Sequence, residues 1–233
     1  MGRIAYHFAH HLTAGLPQMA ARIYRSGYEN IPRTGPALLL ANHISHFDPP
    51  MMATKFPRII HYMADKPLLE IPVLGPLLKA GYAFPIDRTK SDRAALRTAM
   101  DRLKAGNVVG IFPEGGIRHG PHAVLGGAEM PVGTASLWKM MNVPVIPMVV
   151  IGTDQMYALK NYLRRPRVFF RVGPLLPAPD KDAEREVLRD QIVAAWRELY
   201  DGMIRDYAIT PDELPQSAHK RWGKPEPEFK KPR

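Results

Sequence analysis

Six short apolar runs alternate along the chain with stretches of helical periodicity: ALLLAN (37–42), RIIHYMA (58–64), GYAFPI (81–86), NVVGIFP (107–113), VPVIPMVVIG (143–152) and RVFFRVG (167–173). Near-continuous apolar runs this short read as buried strands. Between them, SDRAALRTAMDRLKAG sets Leu96, Met100 and Leu103 on one face, opens on Ser91 as N-cap and stops at Gly106. Helices are also predicted over 132–142 and 182–207, the latter because Leu188, Ile192, Trp196, Leu199 and Met203 recur every three or four residues. Strands alternating with helices give the α/β class: one sheet, mixed but mostly parallel, covered by helices on both faces.

The chain has 233 residues, 45% of them hydrophobic, which suits a single core rather than two. We assign that core to residues 24–207. The preceding segment, 1–23, reads as an amphipathic N-terminal helix. It is broken by Arg3, His7, His10, His11 and Pro17, so it lacks the roughly 18 consecutive apolar residues of a membrane span. Two readings of this helix stand open: one packed on its own domain, or one lying in a membrane interface with Ile4, Phe8 and Leu12 inward and Arg3, Arg22 and Arg25 toward head groups. Residues 208–233 are dense in proline and charge and read as a tail, either solubilising or touching a membrane surface.

Lys and Arg number 32 against 22 Asp and Glu, so a positive field draws phosphorylated ligands or an anionic membrane surface. Nucleic acid is not the expected partner, because the basic residues are scattered and no recognition motif accompanies them. The chain has no cysteine, which excludes disulfides, thiolate metal sites and a cysteine nucleophile.

The segment LLLANHISHFDPP ends an apolar strand at Asn42 and His43, with Asp48 five residues further on. Residues five apart on one helix do not face each other, so these two meet only if the chain turns between them. Where it turns, the carboxylate orients the imidazole, whose other nitrogen is free to take a proton from a hydroxyl. Asp48 before Pro49 and Pro50 reads equally as a helix N-cap. His46 extends the string to H-x-x-H-x-D, and His119 with His122 forms a second H-x-x-H, which leaves a metal reading open. Two more strand ends carry polar groups: GYAFPIDR leads to Arg88, and FPEGGIRHG to Glu114, Gly115 and Gly116. Ligands of open α/β sheets bind beyond the carboxyl ends of strands, which predicts one crevice shared by His43, Arg88 and Glu114. Arg88 offers a fork suited to phosphate and the glycines admit backbone amides to an anion; the alternatives are a surface ion pair and an ordinary turn.

Four motifs in order, NHISHFD, AFPIDR, FPEG at 112–115 and VPVIP at 143–147, resemble the glycerolipid acyltransferases, especially the bacterial 1-acylglycerol-3-phosphate acyltransferases. The flanking GYENIPRTGPALLLANH and ADKPLLEIPVLGPLL are similar too, so the resemblance spans roughly 24–173. It implies a glycerol-3-phosphate acyltransferase-like fold, with His43 as general base, Asp48 as its orienting partner, Arg88 as a phosphate ligand and Glu114 with Gly115 as holders of the acceptor. Lys66 and Arg118 add positive charge to the acceptor site. The implied donor is acyl-CoA or acyl-acyl carrier protein as co-substrate, with no cofactor and no metal. The implied acceptor is a lysophospholipid, and the implied place is the cytoplasmic face of a membrane, held peripherally. Two departures fall where the acceptor is read. Gly116 and Ile117 push Arg118 one position beyond the usual arginine, and Met130 to Gly133 stand where many members carry a lysine before a glycine. A different lysophospholipid, glycolipid or lipoamino acid acceptor is therefore the near alternative. A metal-dependent hydrolase built on His43, His46 and Asp48, and a non-catalytic lipid-binding protein, are the alternatives of another class.

Overall fold

The computed structural model describes residues 3–87 and 92–226. The chain opens with α1 (Arg3–Ala20) and β1 (Arg22–Ser26), then β2 (Ala37–Ala41), α2 (Asp48–Ala53) and β3 (Ile60–Asp65). Two short helices, α3 (Lys66–Glu70) and α4 (Leu74–Ala80), lead to β4 (Phe84–Ile86). There follow α5 (Arg93–Lys104), β5 (Val108–Ile111), α6 (Val132–Met141) and β6 (Val145–Ile151). The chain continues through α7 (Lys160–Arg164), β7 (Arg167–Val172), α8 (Arg185–Asp206) and α9 (Ala218–Arg221).

The strands form one seven-stranded sheet in the order β1-β7-β6-β2-β5-β3-β4. Every described pair is parallel except β6 with β7. The sheet is two-sided because successive side chains of a strand point to opposite faces. In β2, Ala37, Leu39 and Ala41 join Tyr6 of α1 and Met51 and Met52 of α2, whereas Leu38 and Leu40 join Leu103, Trp138 and Trp196 of α5, α6 and α8. All five β2 residues are buried, as expected of a strand covered on both faces. The two tryptophans are satisfied inside the core: Trp138 Nε1 donates to the Val143 carbonyl at 2.9 Å and Trp196 Nε1 to that of Leu40 at 3.2 Å.

Four expectations need correction. The strand β1 lies partly inside the segment assigned to the N-terminal helix. Its sequence RIYRS is charged because it is an edge strand paired only with β7, so no apolar run betrays it. At α5 the cap is Asp92, whose side chain accepts from the amides of Ala94 and Ala95; Ser91, expected there, lies outside the described residues. Asp48 is not an N-cap: it is the first helical residue of α2, and its carboxylate turns back into the preceding loop. Finally, residues 208–226 do not hang free. Ile209 and Ser217 are buried, and Arg221 pairs with the buried Asp154 at 2.6 Å. Composition concealed this because the segment docks through hydrogen bonds and an ion pair as well as through the few apolar side chains it has, Ile209 and Leu214 among them.

Candidate active site

The site begins where β2 runs out. Asn42 takes over from the strand: its side-chain nitrogen donates to the Val150 carbonyl at 3.0 Å and its oxygen accepts the Val150 amide at 2.7 Å. The ladder between β2 and β6 is thus prolonged by one side chain, and His43 follows at a defined height above the sheet. Its ring stacks on Phe112, centroids 4.2 Å apart. Its amide donates to Glu114 Oε2 at 2.9 Å, and its carbonyl accepts the Arg118 amide at 2.8 Å.

His43 Nδ1 lies 2.8 Å from Asp48 Oδ2. The loop turns back on itself as the pairing requires, and the same carboxylate oxygen accepts the amides of Ile44 at 2.7 Å and Ser45 at 2.9 Å. Thr153 Oγ1 donates to Asp48 Oδ1 from the end of β6. Asp48 is fully buried, and His43 is 15% exposed. With Nδ1 given to the carboxylate, Nε2 is the nitrogen left for a substrate, the geometry of a general base held in one tautomer.

Glu114 is buried and bridges two loops. Besides the His43 amide, it accepts the Val124 amide on Oε1 at 2.8 Å. Burial pushes its carboxyl above the ordinary range, against those two amides and the charge of nearby Arg118, which favour the ionised form. Both oxygens are therefore engaged by the backbone, so in this structure Glu114 acts as a strut under His43. Gly115 has φ 69° and its amide donates to the Phe112 carbonyl, closing a turn that a side chain would strain. That amide serves the turn, not an anion. The Arg118 guanidinium folds back over Gly116 and donates to the Ile117 carbonyl at 2.9 Å.

Lys66 is exposed at the end of β3, on the strand-end edge shared with His43 and Glu114. Arg88 lies outside the described residues. His46 does not join His43 around a common point: its Nδ1 meets Tyr157 Oη at 2.6 Å, and the same oxygen accepts the His46 amide at 3.0 Å. Burial, and then the neighbouring His43, lowers the His46 pKa. Among the described residues no group of three or more His, Asp and Glu side chains is arranged to hold a metal ion.

Thr153 and Tyr157 escaped the sequence reading. The strand-end argument that picked out His43, Arg88 and Glu114 applies equally to β6, whose run ends in Gly152 and Thr153, and it would have found the threonine.

The sequence model of the Acyltransferase family matches residues 22–151 of the chain. Among curated proteins, the 1-acyl-sn-glycerol-3-phosphate acyltransferase of Bacillus subtilis is 29% identical over 127 residues, 53% of this chain and 60% of that protein. The protein of the same name in Borreliella burgdorferi is 28% identical over 181 residues, 74% of this chain and 70% of that one. In fold, the chain is similar to the crystal structure of the 1-acyl-sn-glycerophosphate (LPA) acyltransferase PlsC of Thermotoga maritima. The TM-score is 0.66 at 21% identity, and the match covers 83% of this chain and 78% of that one.

Proposed function

Because the chain belongs to the acyltransferase family, we propose that it moves a fatty acyl group from acyl-CoA or acyl-acyl carrier protein onto the free hydroxyl of 1-acylglycerol-3-phosphate, yielding phosphatidic acid. The observation that carries this reading is the 2.8 Å contact of His43 Nδ1 with the buried Asp48, which leaves Nε2 as the ring nitrogen for a substrate. His43 Nε2 takes the hydroxyl proton as the oxygen attacks the thioester carbon. The tetrahedral oxyanion then collapses, the carbon–sulfur bond breaks, and the leaving thiolate receives that proton from His43, so ester and thiol are released and the histidine is regenerated. Asp48 stabilises the transient imidazolium. Arg88 and Lys66 bind the acceptor phosphate in this reading, and Arg118, displaced by one position and folded onto Ile117, favours profiling acceptors beyond lysophosphatidic acid.

The reaction is placed at a membrane surface, to which the protein attaches peripherally. No helix among the described residues is long and apolar enough to cross a membrane. Support comes from large apolar side chains left in solvent on neighbouring elements: Leu12, Leu16 and Met19 on α1, Val73 before α4, and Leu159 and Leu163 around α7. Lys160, Arg164 and Arg165 stand beside the last two, matching anionic head groups.

The test is transfer of radiolabelled acyl groups from both donors to a panel of lysolipids in detergent. Labelled phosphatidic acid is expected from the wild type, with His43→Ala reduced by about 10³-fold or more while folding normally. Equal turnover by both proteins would remove His43 from the chemistry.

A further inference from the structure

The Asp48 carboxylate receives four described hydrogen bonds. Three, from His43 Nδ1, Ile44 N and Ser45 N, arise within its own loop and fix the carboxylate only relative to that loop. The fourth comes from Thr153 Oγ1, 105 residues away and completely buried, and it ties the loop to the end of β6. Thr153 opens a five-residue turn, Thr153–Tyr157. Its last residue grips the same loop two residues earlier, because Tyr157 Oη meets both the ring and the amide of His46. One short turn therefore holds the 43–48 loop at two points, His46 and Asp48.

That turn is held in its own right by the C-terminal segment. Asp154, wholly buried inside it, accepts from Arg221 Nε at 2.6 Å and from the Gln216 amide at 3.0 Å. Trp222 Nε1 donates to the Tyr157 carbonyl at 2.7 Å. Arg221 is further fastened to the Asp212 and Leu214 carbonyls, at 2.7 and 2.9 Å. A segment serving only to cover apolar surface would present apolar side chains to it. This one instead presents a guanidinium, an indole N–H and an amide, each aimed at the turn, and Trp222 remains half exposed.

We propose that Thr153 is a positioning residue for the His43–Asp48 pair, and that residues 214–222 clamp the 153–157 turn so that Thr153 and Tyr157 hold the catalytic loop. The proposal rests on His43 being the base. It adds that the base is aligned by a part of the chain lying outside every motif that identifies it.

The experiment uses the full chain with Thr153→Val, Thr153→Ser and Arg221→Met, read in two ways. The first is acyl-transfer kinetics. Thr153→Val is expected to lower kcat by about ten- to a hundredfold, the rate equivalent of one hydrogen bond to a charged group, with KM changed less than about twofold. Thr153→Ser restores most of kcat, and Arg221→Met lowers it in the same direction. The second is the low-field proton resonance of His43 Nδ1–H in protein labelled with ¹⁵N-histidine, assigned by its loss in His43→Ala. It is displaced or broadened in Thr153→Val and Arg221→Met, and restored in Thr153→Ser. An unchanged kcat and an unmoved resonance in Thr153→Val overturn the positioning role, and the same result in Arg221→Met overturns the clamp. If the wild type transfers no acyl group to any acceptor, the acyltransferase reading falls and the resonance alone decides the positioning. Should Thr153→Val fail to fold, the Thr153→Ser and Arg221→Met pair carries the same two readouts.

Discussion

At the scale of single residues, His43 is held by groups from its own loop and from elsewhere in the chain, Asp48 on one side and Phe112 and Glu114 on the other. The strut beneath it is Glu114, whose two oxygens each take a backbone amide, from His43 and Val124. Glu114→Gln keeps the size but turns one acceptor into a donor facing an N–H. It is expected to lower stability by about 1–3 kcal/mol in urea unfolding and to reduce turnover, since the loop bearing His43 loses a fixed point. Unchanged unfolding would mean that the bridge contributes nothing. A second buried group, His61, stands apart from the site. Burial, and then the charge of Arg102, pushes its pKa from 6.5 down to about 4, and its Nδ1 has no hydrogen-bond partner. Between those values the unfolded chain binds more protons than the native one, so native stability is present above pH 6.5 and drains away as pH falls toward 4. His61→Phe removes this titration. Between pH 7 and 5 its melting temperature is expected to fall less than that of the wild type, by the equivalent of roughly 2 kcal/mol; parallel curves would refute the assignment.

At the scale of elements, the strands that read as continuous apolar runs were legible, and so were the long helices, because period and length speak for them. Shorter pieces were not. α3, α4 and α7 have five to seven residues, too few for a period to register. β1 was hidden by its arginines, and the C-terminal segment by a composition that resembles a tail although its hydrogen bonds tie it to the 153–157 turn and to Arg167 of β7. Of the site, the histidine and its carboxylate were legible because they stand in one strand-to-helix loop. Thr153 could be reached as a strand-end residue, but its contact with Asp48 could not, since that exists only once β6 lies beside β2. Glu114 was legible as a strand-end residue, though its use of both oxygens on amides was not. One packing relation between strands was likewise invisible. In β5, Gly110 leaves room for Ile60 and Tyr62 of β3, which a Cβ would approach within 2.7–2.8 Å. Tyr62 in turn stacks on Phe112 at 5.9 Å, and Phe112 backs the His43 ring. Gly110→Ala is expected to cost about 1–3 kcal/mol by overpacking and to lower kcat through that stack. A melting temperature and kcat both equal to wild type would refute the packing argument.

At the scale of the whole molecule, apolar side chains in solvent and the cations around α7 lie on elements that adjoin α1. Partition onto vesicles is expected to require anionic lipid, to weaken as salt rises, and to drop by roughly tenfold or more when Leu16 and Met19 are both changed to Asp. Equal binding to neutral vesicles, or no effect of the double change, would move the docking face elsewhere. The sheet order has a different kind of consequence. β1 has β7 as its partner, with Ser26 set opposite Arg171. A growing chain thus carries this strand unmatched until the 145 residues that separate Ser26 from Arg171 have been made. Copies cut short before β7 are expected to present β1 as an unpaired edge, open to proteolysis and to pairing with other chains.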